Sequence, residues 1–294
     1  MKSSPIRGRG RLYIIPALVI LIVMICYPMI HAILMSMQDT QIYTIMSPPH
    51  FTFFRNYIDL LNDEYFLNSI GRTVIYTVMV VLIQVVLGMV FALMISRVEK
   101  CRTVFTTLIT IPIMITPAVV GLMWRFLLDS HLGLYSYIIA KISGTPISFL
   151  GNHGLALFTI AGIDIWWQTP FVILIFLAGL TSLPVDVFEA SFIDGASGFQ
   201  QFLNITLPLM KPLIGLAVIM RAIEAFKAFD YIWVLTGGGP GTATELISVY
   251  ILKTAFHSGN LSYGAAASLL LALMLFFVAL VLFRSTFHKK GDLT

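Results

Sequence analysis

Six long apolar segments constrain the fold of this chain more than any other feature of its sequence. Each is long enough to cross the hydrocarbon of a bilayer as a helix, which takes about 20 residues and satisfies the backbone polar groups internally. Only 11% of the 294 residues are charged. The sequence therefore predicts an all-α membrane protein with six transmembrane helices. The predicted spans are residues 12–36, 70–96, 104–128, 154–180, 212–236 and 263–284.

Basic residues precede the first apolar segment, in the order that a secretory signal peptide has. A signal core has about 7–15 residues, whereas this apolar stretch runs from Leu12 to Met35 and no clear cleavage site follows it. We therefore predict a retained first span. The basic residues before it are Lys2, Arg7, Arg9 and Arg11.

Lysine and arginine are concentrated in alternate loops, which predicts the orientation because these residues are retained on the cytoplasmic side. With the N-terminus inside, the inner segments hold eleven such residues and the outer loops hold three. Counting Arg72, at the outer end of the second span, with the outer side does not remove the bias. Both termini are predicted to be cytoplasmic, as tails over residues 1–11 and 285–294.

Several functional classes are excluded by missing sequence signals. The sequence contains no GxxxxGK[ST] loop, and every loop is too short for an ATP site, so energy for transport must come from another chain or from an ion gradient. The basic residues lie between apolar runs and form no basic face, so a nucleic-acid partner is not predicted. The six histidines are scattered and the two cysteines have no metal-ligand spacing. We predict no catalytic residue, no metal site and no enzyme activity.

The fourth inner segment, residues 181–212, is unlike an ordinary membrane connector. Pro184 and Asp186 are expected to open a short helix, and Gly195 can supply the left-handed turn that ends it. A second short amphipathic helix should follow before Pro208 and Pro212 break the chain into the next span. The segment is predicted to form a helix, a turn and a helix across the cytoplasmic face.

This segment resembles the EAA loop of importer permeases in the ATP-binding cassette (ABC) superfamily. The family pattern is EAA, three residues, G, nine residues, I, one residue and LP, and the sequence departs from it only in having Ser191 for the second alanine. The resemblance implies the type I ABC importer permease fold and a coupling loop that docks on a separate cytoplasmic ATPase. The residues implied in coupling are Glu189, Ala190, Ser191, Asp194, Gly195, Ile205 and Pro208.

The residue types in this loop also favour a protein partner over lipid. Glu189 and Asp194 offer carboxylates to Arg or Lys of an ATPase, and the small Ala190 and Ser191 allow close approach. The alternative is a connector that rests on lipid headgroups, which is normally rich in Lys and Arg. Lys211 is the sole basic residue from 181 to 211, against three acids.

The resemblance extends over nearly the whole chain and points to the carbohydrate branch of these permeases, of the maltose, trehalose and glycerol-3-phosphate type. It implies a second homologous permease subunit, two copies of an ATPase that binds ATP and Mg, and a periplasmic or lipid-anchored solute-binding protein. It also implies a multi-pass location in the bacterial inner membrane, among lipid, and no cofactor in this chain. The features that carry it are Tyr27-Pro28, Phe54-Arg55-Asn56-Tyr57, Ile111-Pro112 and the block AFKAFDYIWVLTGGGP at 225–240.

A sugar path needs ring-stacking aromatic residues with hydrogen-bonding groups between them, and two segments fit. The fourth span has Asp164, Trp166, Trp167 and Gln168 before the Pro170 break. The fifth has ionisable residues three apart, which share one helix face and are costly at membrane depth. By resemblance to the family's sugar contacts, the predicted path residues are Trp167, Gln168, Phe171, Arg221, Glu224 and Ala228.

Structural interpretations of the same residues stay open. The charges on the fifth span can instead form ion pairs that hold this helix to its neighbours; they are Arg221, Glu224, Lys227 and Asp230. Belt or packing roles are favoured for three aromatic residues, Trp124, Trp166 and Trp233. The glycine run 237–239 is interpreted as a turn, because it is too short for a phosphate cradle.

Alternating access driven by a separate ATPase is the favoured mechanism. An ion-coupled secondary transporter, with Asp164, Glu224 and Asp230 as relay groups, is the alternative. Such a carrier would not need the EAA pattern, and no inverted repeat is visible in the sequence.

Overall fold

The structure, a computed structural model, describes residues 6–46, 48, 50–98, 100–145 and 147–287. Residues 1–5 and 288–294 of the predicted tails lie outside this range, and with them Lys2, Lys289 and Lys290. Helix α1 begins at Ile6, so the backbone of residues 6–11 is already helical.

The described part of the chain is all-α, and its only strand-like pairings are two isolated β-bridges. Asn152 caps helix α7 (His153–Thr181) by accepting hydrogen bonds from the backbone N–H groups of Gly154 and Leu155. Short 3₁₀ and π-helical turns separate several elements. The helices are α1 (Ile6–Ser36), α2 (Arg55–Leu61), α3 (Glu64–Ser96), α4 (Arg102–Thr110), α5 (Pro117–Leu127), α6 (Leu134–Ser143), α7 (His153–Thr181), α8 (Val185–Ile193), α9 (Gly198–Gln201), α10 (Leu207–Phe226), α11 (Asp230–Thr236), α12 (Ile247–Leu252) and α13 (Leu261–Phe287).

Five helical segments in the described residues are long and apolar enough to cross a membrane, one fewer than the six spans predicted. They are Ile15–Ser36, Glu64–Ser96, His153–Thr181, Gly198–Phe226 and Leu261–Thr286. The difference is the third predicted span, 104–128, which forms the two shorter helices α4 and α5.

Proline accounts for that interruption. Helix α4 ends at Thr110, Pro112–Met114 form a 3₁₀ turn, and α5 starts at Pro117. Proline lacks the N–H that a continuing helix needs, and its ring clashes with the preceding turn. Pro170, by contrast, lies inside the continuous helix α7.

The predicted break at Pro208 and Pro212 is wrong. Residues Phe202–Thr206 form a π-helical turn that leads directly into α10, with Pro208 in the first turn of that helix and Pro212 inside it. The wider π turn relieves the clash between the Pro208 ring and the carbonyl four residues earlier. The fifth predicted span instead breaks later, because α10 ends at Phe226 and α11 starts at Asp230.

The chain divides into two compact units, of which the first comprises Met1–Leu67 and Ile251–Ala272. Within it, the backbone N–H of Thr40 donates to Ser262 Oγ at 2.8 Å, which ties the segment after α1 to the start of α13. The Tyr57 hydroxyl lies 2.7 Å from Ser36 Oγ and ties α2 to the end of α1.

The second unit comprises Asn68–Tyr250 and Leu273–Thr294, and contains the predicted coupling loop and solute path. It has two apolar cores, one around Tyr76 and Ile160 and the other around Phe176 and Met210. Gly121 lets α5 approach α11 closely, since a Cβ there would lie 2.8 Å from a backbone carbonyl oxygen of α11.

Candidate solute cleft and coupling segment

A cleft of about 320 Å³ opens between α7, α10 and α11. Five of the six predicted path residues line it, although they come from two segments more than 50 residues apart. The five are Trp167, Gln168, Arg221, Glu224 and Ala228. Pro117, Asp164, Lys227, Phe229, Asp230 and Tyr231 complete the lining.

Phe171 is the predicted path residue that the structure does not bring to this cleft. It packs against the second apolar core, the one that contains Phe176 and Met210. Its position is four residues after Trp167, or about 6 Å further along the axis of α7. The helix therefore carries it past the cleft and into the packing layer.

A buried ion pair joins α7 to α10 at the back of the cleft. Arg221 Nη2 lies 3.0 Å from Asp164 Oδ2, and the two side chains are only 2% and 4% exposed. Arg221 Nε donates to Gln84 Oε1 at 2.9 Å, and Gln84 Nε2 donates to Asp164 Oδ2 at 3.3 Å. Nearby, the Tyr76 hydroxyl of α3 hydrogen-bonds the Tyr231 hydroxyl of α11.

This network satisfies the charges that helix α10 and helix α7 bury. Two donors converge on the Asp164 carboxylate, and two nitrogens of Arg221 are occupied by acceptors. Charges at membrane depth are tolerated when they are paired in this way. The ion-pair interpretation of Arg221 is thus confirmed, and the partner helix is α7.

The other charges of the fifth predicted span behave differently. Lys227 Nζ lies 3.0 Å from Glu224 Oε1, three residues away on the same stretch of chain, and both side chains are about half exposed. This pair holds no neighbouring helix, so the ion-pair interpretation is wrong for these two residues. Asp230 lies in the first turn of α11, where a negative charge is favourable to the helix dipole.

Aromatic residues close the cleft and pack around it. Trp167 Nε1 donates to the backbone carbonyl of Ile115 at 3.1 Å, and its ring meets that of Tyr231 edge-on with centroids 5.8 Å apart. Trp124 and Trp166 pack together edge-to-face at 5.5 Å. The packing interpretation of these last two residues is confirmed.

The glycine run after α11 forms a turn, as predicted. Gly237 and Gly238 have φ of +57° and +92°, a backbone conformation that favours glycine. Thr244 Oγ1 donates to the Gly239 carbonyl at 2.7 Å, and the Thr236 and Thr244 hydroxyls lie 2.7 Å apart. These bonds fix the turn that ends α11.

The coupling segment, residues 182–206 between α7 and α10, has the predicted helix and turn. Helix α8 begins just after Pro184 and ends at Ile193, and Gly195 has a φ of +80°. Ser197 then starts α9 with a capping box, in which the Ser197 hydroxyl and the Gln200 side chain each bond the other residue's backbone N–H. The Ser197 cap lies two residues after the glycine, so the turn is defined on both sides.

Ser191, the departure from the EAA pattern, ties the two helices of this segment together. Its hydroxyl donates to the Phe188 carbonyl at 2.8 Å and accepts from Gln201 Nε2 at 3.0 Å. An alanine at this position would offer neither bond. The serine therefore stiffens the angle between α8 and α9.

The outer surface of the coupling segment combines carboxylates with exposed apolar side chains. Glu189 and Asp194 are exposed, and Phe192 and Ile193 beside them are 77% and 83% exposed. Ala190 is also exposed, whereas Ile205 is half-buried in the π turn and Pro208 is exposed at the start of α10.

Sequence reasoning missed three residues of the buried network: Gln84, Tyr76 and Tyr231. Gln84 is an amide in the middle of an otherwise apolar span, which is a signal that was available. The two tyrosines gave no such signal, because tyrosine is common in transmembrane helices near the membrane interfaces.

Comparisons of the sequence with known proteins agree over nearly the whole chain. The profile of the family described as binding-protein-dependent transport system inner membrane component matches residues 84–289. The chain is 35% identical over 282 residues to the trehalose/maltose transport system permease protein MalF of Thermococcus litoralis, covering 96% of this chain and 93% of that protein. It is 32% identical over 279 residues to the sn-glycerol-3-phosphate transport system permease protein UgpA of Yersinia pestis, covering 95% and 94%.

Solved structures share the fold. One is a chain of a bacterial ABC transporter involved in the import of the acidic polysaccharide alginate, with a TM-score of 0.83 over 97% of this chain and 98% of that chain. Another is a bacterial alginate ABC transporter in complex with an alginate pentasaccharide-bound periplasmic protein, with a TM-score of 0.82 and 98% coverage of both chains. The sequence identities are 22% and 21%, so this likeness is one of fold.

Proposed function

The chain belongs to the family of binding-protein-dependent transport system inner membrane components, and on that basis we propose that it is the membrane-spanning permease subunit of an ATP-driven importer for a sugar or sugar derivative. The relatives include permeases for trehalose and maltose and for sn-glycerol-3-phosphate. The chain carries solute and catalyses no covalent reaction.

The coupling segment is the observation that carries this proposal. The helix-turn-helix exposes the apolar side chains of Phe192 and Ile193 between two carboxylates. Exposed neighbouring apolar side chains of this kind mark a surface that binds another protein. A cytoplasmic ATPase with an apolar groove and basic rim would cover the apolar side chains and pair with Glu189 and Asp194. Two copies of that ATPase would bind the ATP and Mg that drive transport.

The cleft is the proposed passage for solute. The Trp167 ring offers a surface for the apolar face of a pyranose, while Gln168 and Glu224 offer hydrogen-bonding groups for its hydroxyls. In alternating access, movement of the coupling segment would open the cleft first to the outside and then to the cytoplasm.

The remaining parts of the assembly follow from the family. We propose a second homologous permease, a periplasmic or lipid-anchored solute-binding protein, and a bacterial inner-membrane location with both termini in the cytoplasm. Six crossings would arise from α1, α3, α4 with α5, α7, α10 with α11, and α13. The neighbouring alginate transporter, which was solved with a periplasmic protein, supports the binding-protein partner.

Charge reversal in the coupling segment tests the proposal. Glu189→Lys should abolish ATP-driven sugar uptake by the complete importer and release the ATPase from the membrane fraction, while the permease still inserts. Asn204→Lys is the control, because it introduces the same lysine side chain at an exposed position outside α8. It should leave uptake near the wild-type level.

The outcome separates the proposal from its alternative. Uptake that survives Glu189→Lys and continues without ATP in a proton or sodium gradient would reject the ATP-driven importer and favour an ion-coupled carrier. Membrane fractions should be checked for the amount of permease, so that a loss of uptake is not a loss of protein.

A further inference from the structure

The charged side chains around the cleft leave it with a net negative charge and both of its cations paired. Three carboxylates and two cations line it, which sums to one negative charge. Resting on the proposed function, we propose that the cleft selects uncharged carbohydrates and disfavours anionic ones such as sugar phosphates and uronates. The charged residues are Asp164, Glu224, Asp230, Arg221 and Lys227.

The charge of Arg221 is already offset by the Asp164 carboxylate. Its Nη2 already bonds Asp164 at 3.0 Å, its Nε bonds Gln84 at 2.9 Å, and its side chain is almost wholly buried. A guanidinium recognises phosphate or carboxylate best with two parallel N–H donors. The Nε–Nη2 edge, which can offer such a pair, is occupied by Gln84 and Asp164. To bind an anion on this edge, Arg221 would have to release Asp164 and leave a buried carboxylate unpaired, which is strongly unfavourable.

Lys227 is the second cation, and it too is offset by carboxylates. Its Nζ lies 3.0 Å from Glu224 Oε1, and Asp230 lines the same cleft. An anion that approached Lys227 would therefore also approach the Glu224 carboxylate, in a cleft that Asp230 makes more negative. The local balance repels a negative solute rather than attracting it.

The same lining suits a solute with many hydroxyl groups and no charge. Carboxylates such as Glu224 and Asp230 only accept hydrogen bonds, and sugar hydroxyls donate them. Trp167 and Phe229 supply apolar surface for a sugar ring, and Gln168 supplies an amide. Family membership does not make this choice, because the relatives and structural neighbours include transporters of both uncharged and anionic solutes.

Charged thiol reagents can measure the charge of the cleft without a known substrate. Ala228→Cys places a thiol in the lining, after Cys26 and Cys101 have been replaced by serine in the complete importer. The rates of modification by the cationic trimethylammonioethyl and the anionic sulfonatoethyl methanethiosulfonates are compared, each normalised to Met46→Cys, which is 98% exposed. One negative charge about 6 Å away in water changes each rate about threefold, so the normalised ratio should favour the cation about tenfold.

Two further variants test whether the cleft's own acids are responsible. Glu224→Gln should bring the normalised ratio close to one, because it removes one carboxylate from the lining. Glu64→Gln removes an equal charge from an exposed position outside the cleft and should leave the ratio unchanged. A ratio near one in the Ala228→Cys background, or one that favours the anionic reagent, would overturn the proposal.

Uptake by the reconstituted importer with its binding protein and ATPase provides the second measurement, and it decides the case in which neither reagent reacts. Trehalose and maltose are compared with trehalose 6-phosphate and maltose 6′-phosphate. We expect at least about tenfold faster uptake of the uncharged member of the pair that is carried. Comparable uptake of the phosphorylated sugar would reject the selectivity but keep the carbohydrate importer. If no carbohydrate is carried, the proposed function fails, while the reagent ratio still reports the charge of the cleft.

Discussion

Breaking the buried ion pair between Asp164 and Arg221 should destabilise the protein far more than breaking an exposed one. The pair is 3.0 Å long and its side chains are at most 4% exposed. Removing one member leaves an uncompensated buried charge, which costs about 3–5 kcal/mol. Asp164→Asn keeps the shape of the side chain, so its effect reports the lost charge. Arg221→Met removes the other charge and keeps most of the apolar volume.

The double variant separates the pair from its surroundings. With both charges gone, no buried charge is left unpaired, and we expect a large part of the lost stability to return. About 1 kcal/mol should remain lost, because Gln84 Oε1 no longer accepts from Arg221. The two single losses should therefore add up to much more than the double loss.

Thermal unfolding of the purified permease complex in nanodiscs, followed by tryptophan fluorescence, measures these differences. At about 2–4 °C per kcal/mol, each single variant should lower the midpoint by roughly 6–20 °C. The matched control is the half-exposed Glu224–Lys227 pair, for which Glu224→Gln should cost at most about 1 kcal/mol. If Asp164→Asn lowers the midpoint no more than Glu224→Gln, or if the single effects simply add, the buried pair does not stabilise the fold as argued.

Three further substitutions test other positions. Gly195→Ala should cost about 1–2 kcal/mol in the coupling turn and reduce ATP-driven uptake, because a φ of +80° is strained for alanine; an added Cβ meets no atom within 4 Å, so the cost comes from the backbone alone. Gly198→Ala, with equal space and no left-handed backbone, should leave uptake unchanged, and equal effects of the two substitutions would contradict the role of the turn. Gly121→Ala would place a Cβ 2.8 Å from the Tyr231 carbonyl oxygen and should cost about 1–3 kcal/mol in thermal stability, so an unchanged midpoint would show that α5 and α11 can separate freely. Trp167→Phe removes one hydrogen bond of 3.1 Å while keeping an aromatic ring, so we expect a loss of about 1 kcal/mol in thermal stability and a midpoint within error of wild type would refute that.

Hydropathy predicted the long helices well because their length is a local property of the sequence. The predicted spans 70–96 and 154–180 correspond to Glu64–Ser96 and His153–Thr181. Proline was the main source of error. Pro170 stays inside α7, whereas Pro117 starts a new helix, and the difference depends on how neighbouring turns accommodate the ring. That accommodation is not encoded in the proline itself.

The site was predicted in part because family resemblance places residues that spacing alone cannot. Trp167 and Arg221 were identified on separate segments, and the structure brings them to one cleft. Gln84 was missed, since it is 137 residues from Arg221 and its role depends entirely on helix α3 lying beside both other helices. A contact of that kind follows from tertiary packing and cannot be deduced from one local pattern.

The spacing of residues along α7 and α10 indicates how the proposed coupling segment would act on the whole cleft. Trp167 lies fourteen residues before the end of α7 at Thr181, and Arg221 lies fourteen residues after the start of α10 at Leu207. At 1.5 Å per residue, both are about 21 Å from the coupling segment. Only Ser182–Pro184 separate α7 from α8, and the chain is helical without a break from Gly198 to Phe226. We therefore expect a displacement of the coupling segment to reach both walls of the cleft along helical stretches of equal length, and the buried ion pair to couple the two walls.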